Sequence, residues 1–286
     1  MSQKPVIIVL QFSSPGKGLY SINLNLTLIC MKAILIFFVA HWYLSLFFQT
    51  FFLHRYAAHK AFTMSPFTEK VFFILTWIFQ GSNYLSPFGY GTMHRMHHAF
   101  ADTENDPHSP KYDESIWKMM WKTKTIYSGI ASGKMEVEKR FTEGVPRWDS
   151  FDKFARSWPS RLFWGGLYVA FYWQFAAYWW LWLLLPIHFL MSPIHGAIIN
   201  WFAHVYGYRN FEVGDTSKNF LPVDFLMMGE SYHNNHHKYG SRANFGGVRW
   251  HEIDPTYVVI RLLDKIGVIE IVRNKEIKLE RVKKAA

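Results

Sequence analysis

The sequence has a single cysteine, Cys30, in 286 residues. That excludes an internal disulfide framework, and it excludes an iron–sulfur or zinc site held by cysteines. The HExxH pattern of a zinc hydrolase is absent. The ExxH pattern of soluble di-iron carboxylate bundles occurs once, with Glu230 and His233. Such bundles need two copies and further glutamates, so Glu230 is at best a residue behind a ligand. Formal charge is missing from 162–185 and again from 187–206, and no Lys or Arg lies between Arg161 and Arg209. Stretches of that length without charge are rare outside membranes.

Hydrophobic residues make up 50% of the chain and aromatics 19%. That composition points to an integral membrane protein. The mean hydropathy of −0.03 is low for a mostly embedded chain, so about half the residues should form a polar cap outside the bilayer. The net charge of +10 suits a face against anionic lipid or an acidic redox partner. Nucleic acid is not indicated, because no base-stacking or groove-reading motif accompanies the charge.

Three spans are expected, at about 33–53, 162–185 and 187–206, with Pro186 marking the turn between the last two. The apolar stretch inside 69–90 is too short to cross and reads as re-entrant or interfacial. By the positive-inside rule the turn near Pro186 lies outside, which leaves a cytoplasmic cap of 91–161 and 207–286. Residues 1–30 make a poor signal peptide. They read as a dispensable arm, with Met31 an alternative start and the short apolar run at 6–12 a weak candidate for a further span. Residues 31–286 form a single domain. The fold class expected is therefore all-α: a polytopic membrane protein with a helical cap. The tail at 269–286 reads as helical or frayed.

Histidines carry the chemistry. Three clusters occur: His54 with His59, His94 with His97 and His98, and His233 with His236 and His237. On a helix, spacings of three and four share a face, so each of the last two clusters is expected to aim three imidazoles at one point. The spacing of five in the first is about 140° around an α-helix, which should send its histidines towards different ions. His204 ends the last span and points towards the cap, making it a ninth candidate ligand. His41 lies about 20 Å before His54 and reads as a lone intramembrane histidine with a local partner. His188 and His195 have no evident companions. Neutral imidazole suits iron, zinc, copper and nickel, and nine histidines divide naturally between two ions with four or five ligands each.

The combination of HxxxxH, HxxHH and a late HxxHH on a membrane chain resembles the membrane fatty acyl desaturases, in the branch related to stearoyl-CoA desaturase. Supporting text includes Asp106-Pro107-His108, Asn200 with His204, Gly229-Glu230 before His233, and Arg249-Trp250-His251 with Pro255. The likeness runs from about residue 51 to 267. It implies two iron ions held by His54, His59, His94, His97, His98, His204, His233, His236 and His237, with Asn200 holding one through a water. It also implies O2 and two electrons, the removal of two adjacent hydrogens from a long saturated acyl chain, usually at carbons 9 and 10, and a kinked apolar tunnel. No catalytic residue beyond the ligands is indicated, and Gln80 and Asn83 are candidates for the acyl carbonyl.

Pro110-Lys111-Tyr112 replaces an arginine pair expected to meet coenzyme A, so acyl-CoA, acyl-lipid and a carrier-protein-bound chain all remain open. Trp201 replaces a smaller residue and would narrow the site. No fused cytochrome b5 signature follows residue 267, which calls for a separate electron-transfer protein, cytochrome b5-like or ferredoxin-like. The same histidine pattern serves membrane hydroxylases and ketolases. A metal transporter or haem-anchoring subunit fits less well, because the ligands lie mostly outside the spans.

Overall fold

The computed structural model describes residues 17–272, with side chains from residue 25. Helix α1, Lys17–Phe48, leads without a break into a π-helical segment, Gln49–Ala58. Its outer face leaves Ile36 and Val39 exposed, as a lipid-facing helix would. Strand β1, Phe62–Thr63, follows. Helix α2, Pro66–Gln80, is capped by Ser65, whose side chain accepts from the Thr68 amide, and opens on a proline where no amide donor is needed. It stops at Gly81, whose φ of +55° only glycine adopts without strain and against which the Tyr168 hydroxyl packs. A 3-10 turn, Gly81–Asn83, leads to α3, Pro87–Phe100, capped by Ser86.

Helices α4 (Ile116–Ala131), α5 (Lys139–Thr142) and α6 (Asp149–Ala155) follow α3. Helix α7, Trp158–Phe175, precedes a 3-10 segment, Trp179–Leu184, and α8, Leu185–Ala197. A second π-helical stretch, Ile198–Phe202, and the short α9, Ala203–Val205, end this run. The third histidine cluster opens α10, His233–Lys238. Helix α11, Pro255–Lys265, leads into β2, Glu270–Ile271, which pairs antiparallel with β1 in the register Phe62↔Ile271.

Two helical stretches, Asn25–Ala58 and Trp179–Val205, are long and apolar enough to cross a membrane. The expected span at 162–185 is not one helix. Helix α7 ends at Phe175, and the chain turns at 176–178. Pro186 is not at the turn but in the first turn of α8, because a residue without an amide proton costs nothing there. The stretch 69–90 folds as most of α2, the 3-10 turn and the start of α3. Helix α1 passes through Met31 unbroken, while the run at 6–12 lies outside the described residues. The all-α expectation needs one addition, the two-stranded sheet, and the start of the expected helical tail is strand at β2; residues 273–286 lie outside the description.

The core beneath the histidines is aromatic: Phe48, Phe51, Phe52, Phe62, Phe72 and Phe73 pack together. Beside it lies Arg55, with no exposed surface. Its guanidinium donates to Glu230 Oε1 (2.9 Å), Asp254 Oδ2 (2.8 Å) and the Ala243 carbonyl oxygen (2.8 Å). It also lies over the Phe245 ring at 3.7 Å. This one cation ties the π-helical segment to the loops before and after the third cluster. Arg55→Met leaves two carboxylates buried without their partner, which costs about 3–5 kcal/mol. Thermal unfolding of the detergent-solubilised variant should show a midpoint lower by roughly 10 °C, and an unchanged midpoint would refute this role.

Candidate metal centre

Two groups of histidines assemble where the π-helical segment, α3, α9 and α10 meet. His54, His59, His94, His98 and His236 form one, and His97, His204, His233 and His237 the other. Within each group the candidate ligand atoms all lie within 4.8 Å of one another. The nine sequence-predicted histidines are thus brought together, five and four.

The partition within clusters is the reverse of what α-helical spacing predicts. His54 and His59 share a group, their ring centroids 5.1 Å apart. The reason is local: His59 N–H donates to the His54 carbonyl oxygen, an i→i+5 bond, so the backbone winds wider than an α-helix and a spacing of five returns to the same side. The other two clusters divide. His94 and His98 face the first group and His97 the second, while His236 faces the first and His233 and His237 the second. Adjacent residues are about 100° apart on an α-helix, so each HH pair straddles the gap between groups. Gly91 helps α3 come close enough, since a Cβ there would lie 3.2 Å from the Ala57 carbonyl carbon.

The rings present the same atom inwards. Nε2 atoms face one another at 2.8 Å for His59 and His94, 3.0 Å for His54 and His236, 2.9 Å for His98 and His236, 3.1 Å for His204 and His233, and 3.3 Å for His97 and His237. On the far side, Nδ1–H donors meet acceptors. His54 reaches Glu230 Oε2 (2.6 Å), His97 Asp106 Oδ1 (2.9 Å), His237 Asp215 Oδ2 (2.7 Å) and His204 Thr216 Oγ1 (3.0 Å). A proton held at Nδ1 leaves Nε2 with a lone pair, as in metal-binding imidazoles. Converging lone pairs repel unless a cation lies among them. Ligands about 2.1 Å from a metal, at right angles, are about 3.0 Å from each other, in keeping with these separations. The residues therefore fit two metal ions.

Electrostatics agree. Burial holds His59, His94, His98, His233, His236 and His237 well below the usual imidazole range, and neighbouring imidazoles push them further down. All six are neutral at pH 7, the form that binds metal. Burial alone would raise the Glu230 carboxyl. His54 and Arg55, with a hydrogen bond from Thr50, outweigh it and hold the group down at about 2. Likewise, burial would raise Asp106, but His97 and His108 beside it keep the carboxyl below its usual range.

A cavity of ≈ 40 Å³ adjoins both groups. Asn200, His54, His94, His233, Glu230 and Tyr90 are in its wall. It has room for a few water-sized molecules. Gln80 and Asn83 do not line it: Gln80 Oε1 accepts from the Leu85 amide (2.9 Å), and Asn83 Nδ2 donates to the His188 carbonyl oxygen (2.5 Å). Trp201 is not in the wall either.

Three histidines set aside in the sequence have structural company. His41 is not alone with a local partner, because its Nδ1 lies 2.6 Å from Nδ1 of His188 on α8. His188 also meets the Tyr172 hydroxyl at 2.9 Å, and His195 lines the cavity. Sequence reasoning missed Asp215, Thr216 and Arg55, whose roles depend on distant pairings that no local spacing announces. Glu230, read as a residue behind a ligand, is one.

Comparison with known proteins agrees with this geometry. The fatty acid desaturase family model matches residues 30–268. The chain belongs to the fatty acid desaturase family. It is 29% identical over 229 residues to the Delta-9 desaturase-like 5 protein of Arabidopsis thaliana, covering 77% of this chain and 70% of that one. It is 28% identical over 218 residues to the Delta-9 acyl-lipid desaturase 1 of the same plant, covering 75% and 67%. Against the Acyl-CoA 5-desaturase AL21 of Anemone leveillei the identity is 28% over 229 residues, covering 75% and 64%.

Removing an Nδ1 acceptor should weaken metal binding without dismantling the fold. For Asp215→Ala, cobalt(II) titration of metal-stripped protein should show an affinity lower by about 10–100-fold at one of two sites; equal affinity at both would refute the role of Asp215.

Proposed function

We propose that this chain desaturates a long saturated fatty acyl chain, forming a cis double bond between carbons 9 and 10. The observation that carries this reading is the pair of imidazole groups, five and four, facing each other's neighbours through Nε2 in a buried site. His54, His59, His94, His98 and His236 would hold one iron and His97, His204, His233 and His237 the other. Asn200, in the cavity wall, would hold one of them through a water. Bound iron supplies the capacity to activate O2, with two electrons from a separate cytochrome b5-like or ferredoxin-like protein.

The chain's own residues supply position and dryness. Glu230, Asp106 and Asp215 keep the Nδ1 protons of their histidines in place, so the ligand atoms stay aimed without rearrangement. An unactivated acyl chain offers no polar handle where it reacts, so selectivity comes from placing one carbon pair beside the centre. The two apolar helical stretches anchor the site against a bilayer, the source of such chains, with the cap on the cytoplasmic side. Relatives named for acyl-lipid and for acyl-CoA substrates leave both carriers consistent with the site.

The test is expression in a host lacking this activity, with gas chromatography of its fatty acids. A monounsaturated peak with its double bond at carbon 9 is expected, falling to background for His97→Ala. Product from His97→Ala at the unmutated level would overturn the assignment. A hydroxylated product would instead favour a hydroxylase.

A further inference from the structure

A polar seam runs between α1 and α8, two elements otherwise apolar enough to be embedded. On α1, His41 and Ser45, with Gln49 at the start of the π-helical segment, recur at intervals of four, so they share one face, and all three are buried. On α8, His188, Ser192 and His195 recur at intervals of four and three, again on one face, and are buried to 2% exposure or less. The two faces meet. His41 and His188 are bonded at 2.6 Å at one end, Trp42 meets the His195 ring at 4.5 Å, and Gln49 and His195 line the metal-site cavity at the other.

Between these ends the seam is unsatisfied. Ser45 Oγ, Ser192 Oγ, Gln49 Oε1 and both ring nitrogens of His195 have no hydrogen-bond partner among the described residues. A buried polar atom left bare is unfavourable, and so many on two facing stripes point to bound water. The far end is also connected. His41 Nε2 lies 3.5 Å from the Tyr168 hydroxyl, Tyr168 bonds Ser82, and the half-buried Arg161 donates to the Ser82 carbonyl oxygen at 2.6 Å.

The proposed reaction needs such a route. A saturated chain, one O2, two electrons and two protons give one double bond and two waters. Of the four electrons that reduce O2, two come from the donor and two from the broken C–H bonds. Two of the four protons must therefore come from solvent into a buried cavity. We propose that the seam between α1 and α8 is a water-bearing proton path, in which water at Ser45 and Ser192 links the His41–His188 pair, itself bonded to Tyr168 and Tyr172, to His195 at the cavity. Imidazoles suit such a path, since each can accept a proton at one ring nitrogen and release one from the other.

The inference rests on the desaturase reading, and the experiment separates the two. Ser192→Val removes the hydroxyl, and Ser192→Thr, which has the shape of valine, restores it. In purified, iron-loaded enzyme, Ser192→Val should lower turnover about tenfold or more, enlarge the H2O/D2O rate ratio and release hydrogen peroxide, with iron content, unfolding midpoint and acyl KM unchanged. Ser192→Thr should recover the rate. Independently of activity, a high-resolution structure should show ordered water bonded to Ser45 and Ser192. Unmoved turnover and isotope ratio in Ser192→Val, a dry seam, or an altered preference for acyl chain length would overturn the path, the last showing that the seam lines the chain instead. An unmutated enzyme that makes no unsaturated product would sink the desaturase reading, and this proposal with it.

Discussion

The wide i→i+5 winding of the π-helical segment Gln49–Ala58 is the constraint on which the site depends. An α-helix would place His54 and His59 on diverging faces and rotate Arg55 away from its two carboxylates. With the wider turn, both histidines reach one group, and Arg55 reaches Glu230 and Asp254. Glu230 in turn fixes the His54 ring. Backbone winding, a buried ion pair and ligand orientation are therefore one connected arrangement.

That arrangement also resolves a conflict. Nine imidazoles packed with their lone pairs together form an unfavourable assembly in the absence of cations. Acceptors hold four of the rings from behind: Glu230, Asp106, Asp215 and Thr216 each accept a hydrogen bond from an Nδ1–H. Three of these are carboxylates, so the shell behind the ligands is anionic and favours the positive charge that two metal ions bring.

Much of this was legible in the sequence. Apolar length marked three spans, of which 33–53 and 187–206 fall within the two membrane-competent stretches while 162–185 is broken after Phe175, and histidine spacing singled out the nine residues that come together, because both depend on short-range periodicity. Ligand partition was not legible, since it turns on a π-helical winding that no residue type in Gln49–Ala58 announces. Pro186 misled because proline is equally at home in a turn and in the first turn of a helix. Asp215 and His188 act across 22 and 147 positions of chain, on His237 and His41 respectively. Tertiary contacts at such separations leave no local pattern, so Asp215 behind His237 and the polar seam appear only in three dimensions.

The central claim is that the nine histidines form two separate metal sites, one of five and one of four. Anomalous diffraction at the iron edge from iron-loaded protein tests it most directly. Two peaks are expected, one among His54, His59, His94, His98 and His236 and one among His97, His204, His233 and His237. A single peak shared by both groups, or iron bound elsewhere, would contradict it.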